Sequence, residues 1–213
     1  EKGLTSNRTI QELKKIVAKN KIGHAGTLDP LAEGVLVVGI GRKFTKELHK
    51  EEAKEKEYLA VIHLGATSST DDEEGTKTLR EIKQRPSILE IRRVIGKFVG
   101  EIEQKPPVFS AIKIKGREAY KLARRGEYPE MKARKVEIKK IKIVSYAWPD
   151  LKIRVITAPG VYIRSLARDL GEALGTGGYL RSLIRTRVGN FSAEKSFTLS
   201  EFKEKLESGK IKQ

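Results

Sequence analysis

Lys21-Ile22-Gly23-His24-Ala25-Gly26-Thr27-Leu28-Asp29-Pro30-Leu31-Ala32-Glu33-Gly34 runs directly into Val35-Leu36-Val37-Val38-Gly39-Ile40. The glycines and proline of the first part exclude a regular helix, because glycine widens backbone freedom and proline disfavours the helical basin for the residue before it. Asp29 is therefore expected on a shaped loop. The apolar run after it, β-branched and bounded by glycine, reads as a fully buried strand that anchors the loop at its C-terminal end. A rigidly held carboxylate suits chemistry, although Asp-Pro is equally a common turn initiator with a purely structural role.

Composition says what such a loop would face. In 213 residues, 44 Lys and Arg oppose 28 Asp and Glu, for a formal net charge of +16 and a sequence pI near 9.9. An excess of this size implies a polyanionic partner, since neutralised phosphates release counterions and drive association. A lysine-rich thermophile surface is the bland alternative, but that enrichment pairs Lys with Glu and leaves little excess. The chain has no cysteine, which excludes disulfides and thiolate metal sites, and His24, His49 and His63 are too scattered for a zinc cluster. No apolar run approaches the ~20 residues of a membrane span and no signal-peptide pattern opens the chain, so the protein is expected in the cytoplasm.

Working outward, Thr5 or Ser6 can cap a helix whose apolar face is Ile10, Leu13, Ile16 and Val17, with Lys14, Lys15 and Lys19 off that face. Arg42 to Lys56 reads as a short charged helix and an exposed connection, and Lys56 to Gly65 as a strand with Tyr58 at its start. Asp71-Asp72-Glu73-Glu74 lacks EF-hand spacing and reads as a solvated loop without a metal. Ser87 and Glu90 form a capping box before a helix with a buried stripe of Ile88, Ile91, Val94, Ile95 and Phe98, ended by Gly100. Val136 to Tyr146 and Leu151 to Thr157 read as strands about a Trp148-Pro149-Asp150 turn, and Thr198 with Glu201 caps a last helix turning Phe202 and Leu206 inward. Between Lys113 and Lys135, nine basic residues stand against Glu118, Glu127 and Glu130, a basic insertion suited to RNA. The order of elements supports an α+β fold and no more.

The Asp29 stretch resembles the GHxGTLDPxAxG signature of the TruB family of tRNA pseudouridine-55 synthases, matching at Gly23, His24, Gly26, Thr27, Leu28, Asp29, Pro30, Ala32 and Gly34. Lys56-Glu57-Tyr58 to Leu64-Gly65 resembles the family's KxYxxxxxLG motif. Pro106 to Gly126 is similar to PPxYSAxKxxGxxxYxxARxG, with Phe109 for the usual tyrosine, and Gly160 to Gly171 to GxYIRxLxxDLG. Gly177 to Phe191 resembles the family's LRR-containing ending, with Ser182 where a second arginine is usual and Arg185 and Arg187 close by. Gly3-Leu4-Thr5-Ser6 looks like the tail of a DKPxGxTS start, so further residues are expected upstream. The resemblance spans Gly3 to about Phe202, and the family's C-terminal PUA-type domain is not in these residues.

The resemblance implies one pseudouridine synthase catalytic domain over residues 1–213, with a mixed, mostly antiparallel bent sheet flanked by helices and a thumb inserted at about 103–133. It implies isomerisation of a T-loop uridine to pseudouridine without a cofactor or metal, by a chain acting as a monomer. Asp29 would be the catalytic carboxylate and Arg164 its ion-pair partner. Tyr58 would stack on the target base, worth ~1–3 kcal/mol for an aromatic face on a base. Tyr162 and Leu180 would line the base pocket, His24 would hold the displaced loop, and Lys113, Arg124 and Arg181 would contact the RNA. Asp29 could attack the base, attack the ribose or remove a ribose proton. Two rivals keep the basic surface: an RNA-binding or RNA-folding protein without chemistry, and a guide-RNA-dependent synthase, against which the Pro106–Gly126 segment speaks.

Overall fold

The computed structural model describes residues 3–17 and 20–210, so Lys19, read as part of the first helix's polar face, lies outside the described residues. The chain forms two compact units, Glu1–Tyr58 with Leu183–Gln213, and Leu59–Ser182. Both boundaries fall inside strands, Lys56–Leu64 and Gly178–Val188.

In the first unit, helix Ser6–Ile16 is capped by the Thr5 hydroxyl, which accepts the Arg8 N–H at 3.2 Å, and buries Ile10 and Leu13. Strands Ile22–Ala25 and Val37–Ile40 pair antiparallel, with Gly23 opposite Gly39, and helix Arg42–Glu52 packs against them. Those glycines serve packing. A methyl group on Gly39 would stand 3.0 Å from the Phe44 carbonyl, and one on Gly23 would stand 3.0 Å from Leu48 Cδ1. The smallest side chain on both strands thus lets the helix lie close. The shaped loop about Asp29 is preceded by strand Ile22–Ala25, and one expectation is corrected here: the run from Val35 is not fully buried, since Val35, Val37 and Gly39 are buried while Leu36, Val38 and Ile40 are only half-buried. A ribbon covered on one face by a helix alternates, whereas only a strand covered on both faces is apolar throughout. Ala25, Val35, Val37 and Val188 form the local core, with Leu48 against it.

In the second unit, strands Lys56–Leu64, Asp150–Thr157, Arg134–Ala147 and Gly100–Gln104 lie side by side in that order. The inward residues Ala60, Ile62, Ile138, Leu151, Ile153 and Val155 are completely buried, as are Leu166 and Leu170 of helix Ile163–Ala173. The fold is α+β, as the order of elements indicated, with the mostly antiparallel sheet that the resemblance implied. Helix Ile88–Gly96 carries the full capping box, but its buried stripe is only Ile91 and Ile95, with Ile88 exposed. It stops at Gly96, four residues before the expected Gly100, which instead opens strand Gly100–Gln104. Gln104 and Arg134 face each other in the ladder, so residues 105–133 leave and rejoin the sheet at one point. That excursion holds a hairpin of Lys113–Ile114 with Arg117–Glu118 and a short helix, Ala119–Ala123, whose Ala119, Leu122 and Ala123 are buried together with Met131.

Candidate active site

Each unit holds one part of the predicted constellation. In the first, Asp29 lies on a loop joining strand Ile22–Ala25 to the three-residue strand Ala32–Gly34. The loop is tied at both ends. Its own turn closes through the Ala32 N–H to the Asp29 carbonyl at 2.9 Å, and the buried Ser6 hydroxyl accepts the Leu28 N–H at 2.9 Å. The first helix therefore fixes the residue before Asp29.

The third tie is Arg185, only 1% exposed. Its Nε donates to the Val35 carbonyl at 2.8 Å and its Nη2 to the Gly26 carbonyl at 2.9 Å, with Nη1 3.5 Å from the Thr27 carbonyl. It also donates to the Tyr58 hydroxyl and feels the Asp29 charge. Strand Leu183–Arg185 runs parallel to Ala32–Gly34, and the Val35 N–H reaches the Arg185 carbonyl at 2.8 Å. Gly34 has φ +103° and a methyl group there would sit 2.3 Å from the Arg185 carbonyl oxygen, so only glycine permits this approach. The sequence noted Arg185 only as lying close to the place of the family's usual second arginine; the structure buries it beneath the Asp29 loop. The sequence offered only a basic residue close to a motif position, and arginine is mostly exposed.

Arg185 also sets the local electrostatics. Burial pushes the Tyr58 phenol up, and the guanidinium beside it pulls the other way. Tyr58 is only 7% exposed. Burial and then the Arg185 charge hold both His24 and Lys56 below their ordinary values, with Glu52 opposing in each case. Lys56 was expected on an exposed connection; it is buried, its Nζ donating to the carbonyls of Glu52 at 2.7 Å and Lys54 at 3.1 Å. There it caps the carbonyl end of helix Arg42–Glu52. His24 Nδ1 is buried without a hydrogen-bond partner.

A pH consequence follows from His24. Its folded value lies below the 6.5 of the unfolded chain, so the unfolded state binds the extra proton. The stability it contributes is complete above about pH 6.5 and is lost as pH falls through that value toward the depressed one. Melting curves from pH 7 to 5 should show the wild type losing melting temperature relative to His24→Gln. Parallel curves for the two would show that His24 is not held neutral.

In the second unit, Tyr162 precedes helix Ile163–Ala173 and is fixed by the buried Gln104. The Tyr162 N–H donates to Gln104 Oε1 at 2.8 Å, and Gln104 Nε2 returns a bond to the Tyr162 carbonyl at 3.1 Å. The Arg134 guanidinium lies 5.3 Å from the Tyr162 ring centre. Arg164 and Arg168, one helical turn apart, share a face of that helix and reach the Asp71-Asp72 turn. Arg164 Nη1 pairs with the Asp72 carboxylate at 3.3 Å, and Nη2 donates to the Phe109 carbonyl at 3.0 Å. That last contact uses the main chain, so phenylalanine in place of tyrosine leaves it intact. Arg168 joins Asp71 at 2.7 Å, Asp169 at 2.9 Å and the Lys105 carbonyl at 2.8 Å.

The acidic turn is therefore only in part the solvated loop expected: Glu73 and Glu74 are exposed, but the two aspartates are enclosed. Asp72 is 2% exposed, and Asp71 holds a left-handed backbone with φ 61°. Burial pushes the Asp71 carboxyl up, while Arg168 and Arg164 pull it back. Leu180 is completely buried and its N–H secures the same turn, donating to the Asp71 carbonyl at 2.9 Å. A cavity of about 410 Å³ opens beside this network, bounded by Thr70, Asp71, Pro107, Phe109 and Arg168.

The remaining predicted residues also belong to the second unit. Lys113 and Arg124 are exposed on the 105–133 excursion, Arg124 lying 5.6 Å from the Tyr120 ring centre. Arg181 pairs with Asp150 at the surface. Among the described residues no group of three or more His, Asp or Glu is placed to hold a metal ion, and no helix is long and apolar enough to cross a membrane.

Comparison with known proteins matches residues 14–163 to the TruB family pseudouridylate synthase N-terminal domain, and residues 164–211 to the tRNA pseudouridylate synthase B C-terminal domain. A tRNA pseudouridine synthase B of Phocaeicola vulgatus is 43% identical over 197 residues, covering 92% of this chain and 83% of the relative. That of Bacteroides fragilis is 44% identical over 188 residues, covering 88% and 80%, and that of Mycolicibacterium paratuberculosis is 42% identical over 206 residues, covering 95% and 70%. Among solved structures, a Cbf5-Nop10-Gar1 complex matches with a TM-score of 0.75 at 30% identity, and an H/ACA RNP bound to a substrate RNA containing 2'-deoxyuridine with 0.73 at 27%. Each match covers the whole of this chain, which spans 55% and 54% of those chains. The family models meet between Ile163 and Arg164, inside one helix of the second unit, so the matched sequence continues unbroken from the Asp29 loop through the Arg164 helix to Arg185 and beyond. The chain belongs to the TruB family of pseudouridylate synthases.

Proposed function

We propose that the chain isomerises the uridine at position 55, in the T-loop of tRNA, to pseudouridine. Family membership makes it a tRNA pseudouridine synthase, an isomerase. The T-loop site and the residue roles are our reading. The observation that carries it is the Asp29 loop, held by a serine below and a buried arginine behind, in a protein of net charge +16.

A stacked loop base must leave its stack to meet a side chain, at a cost of a few kcal/mol repaid in the pocket. The resemblance assigns Tyr58, Tyr162 and Leu180 to that pocket and His24 to support of the displaced loop. Asp29 acts as an anion while the bond from ribose carbon 1' to base nitrogen 1 breaks and one to carbon 5 forms. Carbon 5 gives up its proton and nitrogen 1 gains one. The resemblance gives Arg164, whose guanidinium holds Asp72 in the structure, the further role of an ion-pair partner that would keep Asp29 ionised. Lys113, Arg124 and Arg181 take RNA phosphates. No cofactor is needed, because the rearrangement neither oxidises nor reduces the nucleoside. The chain acts as a monomer in the cytoplasm.

A second reading, the guide-RNA-dependent synthase raised from the sequence, takes support from the structural likeness to an H/ACA RNP bound to a substrate RNA. An isolated T-stem-loop with no other RNA or protein decides between them. Pseudouridine at position 55, mapped by mass spectrometry, is the expected product; reaction only with added guide RNA would transfer the chain to the second reading. RNA affinity should also fall steeply with salt, and a flat response between 50 and 200 mM would contradict an electrostatic grip.

A further inference from the structure

The geometry points to Arg185 as a positioning residue for the reaction, one that fixes the Asp29 loop and the Tyr58 hydroxyl with a single guanidinium. The inference rests on Asp29 being the catalytic carboxylate. A guanidinium has five N–H donors in a rigid fork, and here the fork is spent on the active-site frame. Gly26 and Thr27 lie just before Asp29, and Val35 just after the short strand that follows it; Arg185 binds the carbonyls of Gly26 and Val35 and approaches that of Thr27. Both approaches to Asp29 are thus gripped by one side chain. The same group reaches the Tyr58 hydroxyl, so the carboxylate and the aromatic residue share a reference point.

Burial also costs Arg185 its hydration, and a buried cation needs compensation. Two groups nearby favour its charge, Tyr58 and Asp29, and of these Asp29 is the carboxylate. The arginine and the catalytic anion therefore stabilise one another, and the same charge helps keep His24 and Lys56 low. An arginine at this position that met phosphates would need to be exposed, whereas this one is almost wholly enclosed.

Arg185→Lys tests this, because lysine keeps the charge and offers one compact donor group in place of the fork. Wild type, Asp29→Asn, Arg185→Lys and Arg185→Gln are compared by single-turnover rate at saturating T-stem-loop, by RNA Kd and by melting curve. The Arg185→Lys rate should fall about a hundredfold, the scale of misplacing a catalytic group by an ångström. Its RNA Kd should stay within about threefold, and Arg185→Gln should be slower still. A near-normal rate per folded molecule in Arg185→Lys would overturn the proposal, as would a rate loss matched by an equal loss of RNA affinity, the pattern of a phosphate contact. A lysine variant that never folds would overturn it too, since the arginine would then serve the fold alone. An inactive wild type or an active Asp29→Asn would instead strike the reading on which the proposal rests.

Discussion

Asp29→Asn is expected to abolish pseudouridine formation while leaving the protein folded and bound to RNA. Asparagine keeps the size of the side chain and an acceptor oxygen but not the negative charge, and the loop is held by main-chain groups that the substitution does not touch. The Ala32 N–H bonds the residue-29 carbonyl, Ser6 holds Leu28, and Arg185 holds Gly26 and Val35. The single-turnover rate should drop by roughly 10⁴-fold or more, the scale seen when a group that acts chemically is removed. Affinity for a T-stem-loop should stay equal or rise, because an anion leaves a phosphate-binding surface. The variant also relieves Arg185 of its carboxylate neighbour, so a modest fall in melting temperature accompanies the lost turnover. A structural Asp29 would lose stability and binding together while its folded fraction kept the wild-type rate.

Arg164→Lys is the second large effect. The guanidinium spans the Asp72 carboxylate and the Phe109 carbonyl, two partners in different directions, with the Thr70 carbonyl a further 3.4 Å contact. An ammonium preserves the ion pair with Asp72 but cannot hold all of these positions at once. Turnover should fall about a hundredfold or more, with RNA affinity little changed. Arg164→Ala is the less informative variant. It would leave Asp72 buried without its cation, at about 3–5 kcal/mol, and confuse folding with chemistry. Near-normal turnover in Arg164→Lys would show that the fork does not orient the site.

Local signals in the sequence translated directly into structure. Thr5, Ser87 and Thr198 each cap the helix assigned to them, because a hydroxyl and the N–H groups that it satisfies lie within one turn. The Asp29 motif, too, was legible as a shaped loop. What the sequence did not show depends on partners far along the chain. Asp71 and Asp72 look like a solvated acidic run until Arg164 and Arg168 are brought to them, the latter from 97 residues away. Gly23 and Gly39 look like loop and boundary residues, yet they sit opposite each other beneath helix Arg42–Glu52, a packing that the helix's own local pattern does not reveal. Arg185 was hidden by its type. An arginine in a basic chain suggests a phosphate contact, and only the fold shows this one enclosed beneath the Asp29 loop.

The measurement that bears most directly on the account is tritium release from a T-stem-loop carrying uridine labelled at carbon 5, with the unmodified protein in excess and no other component. Joining ribose to carbon 5 must expel that hydrogen, so the account predicts one tritium released to water for each RNA bound. RNA that binds without releasing tritium would contradict it.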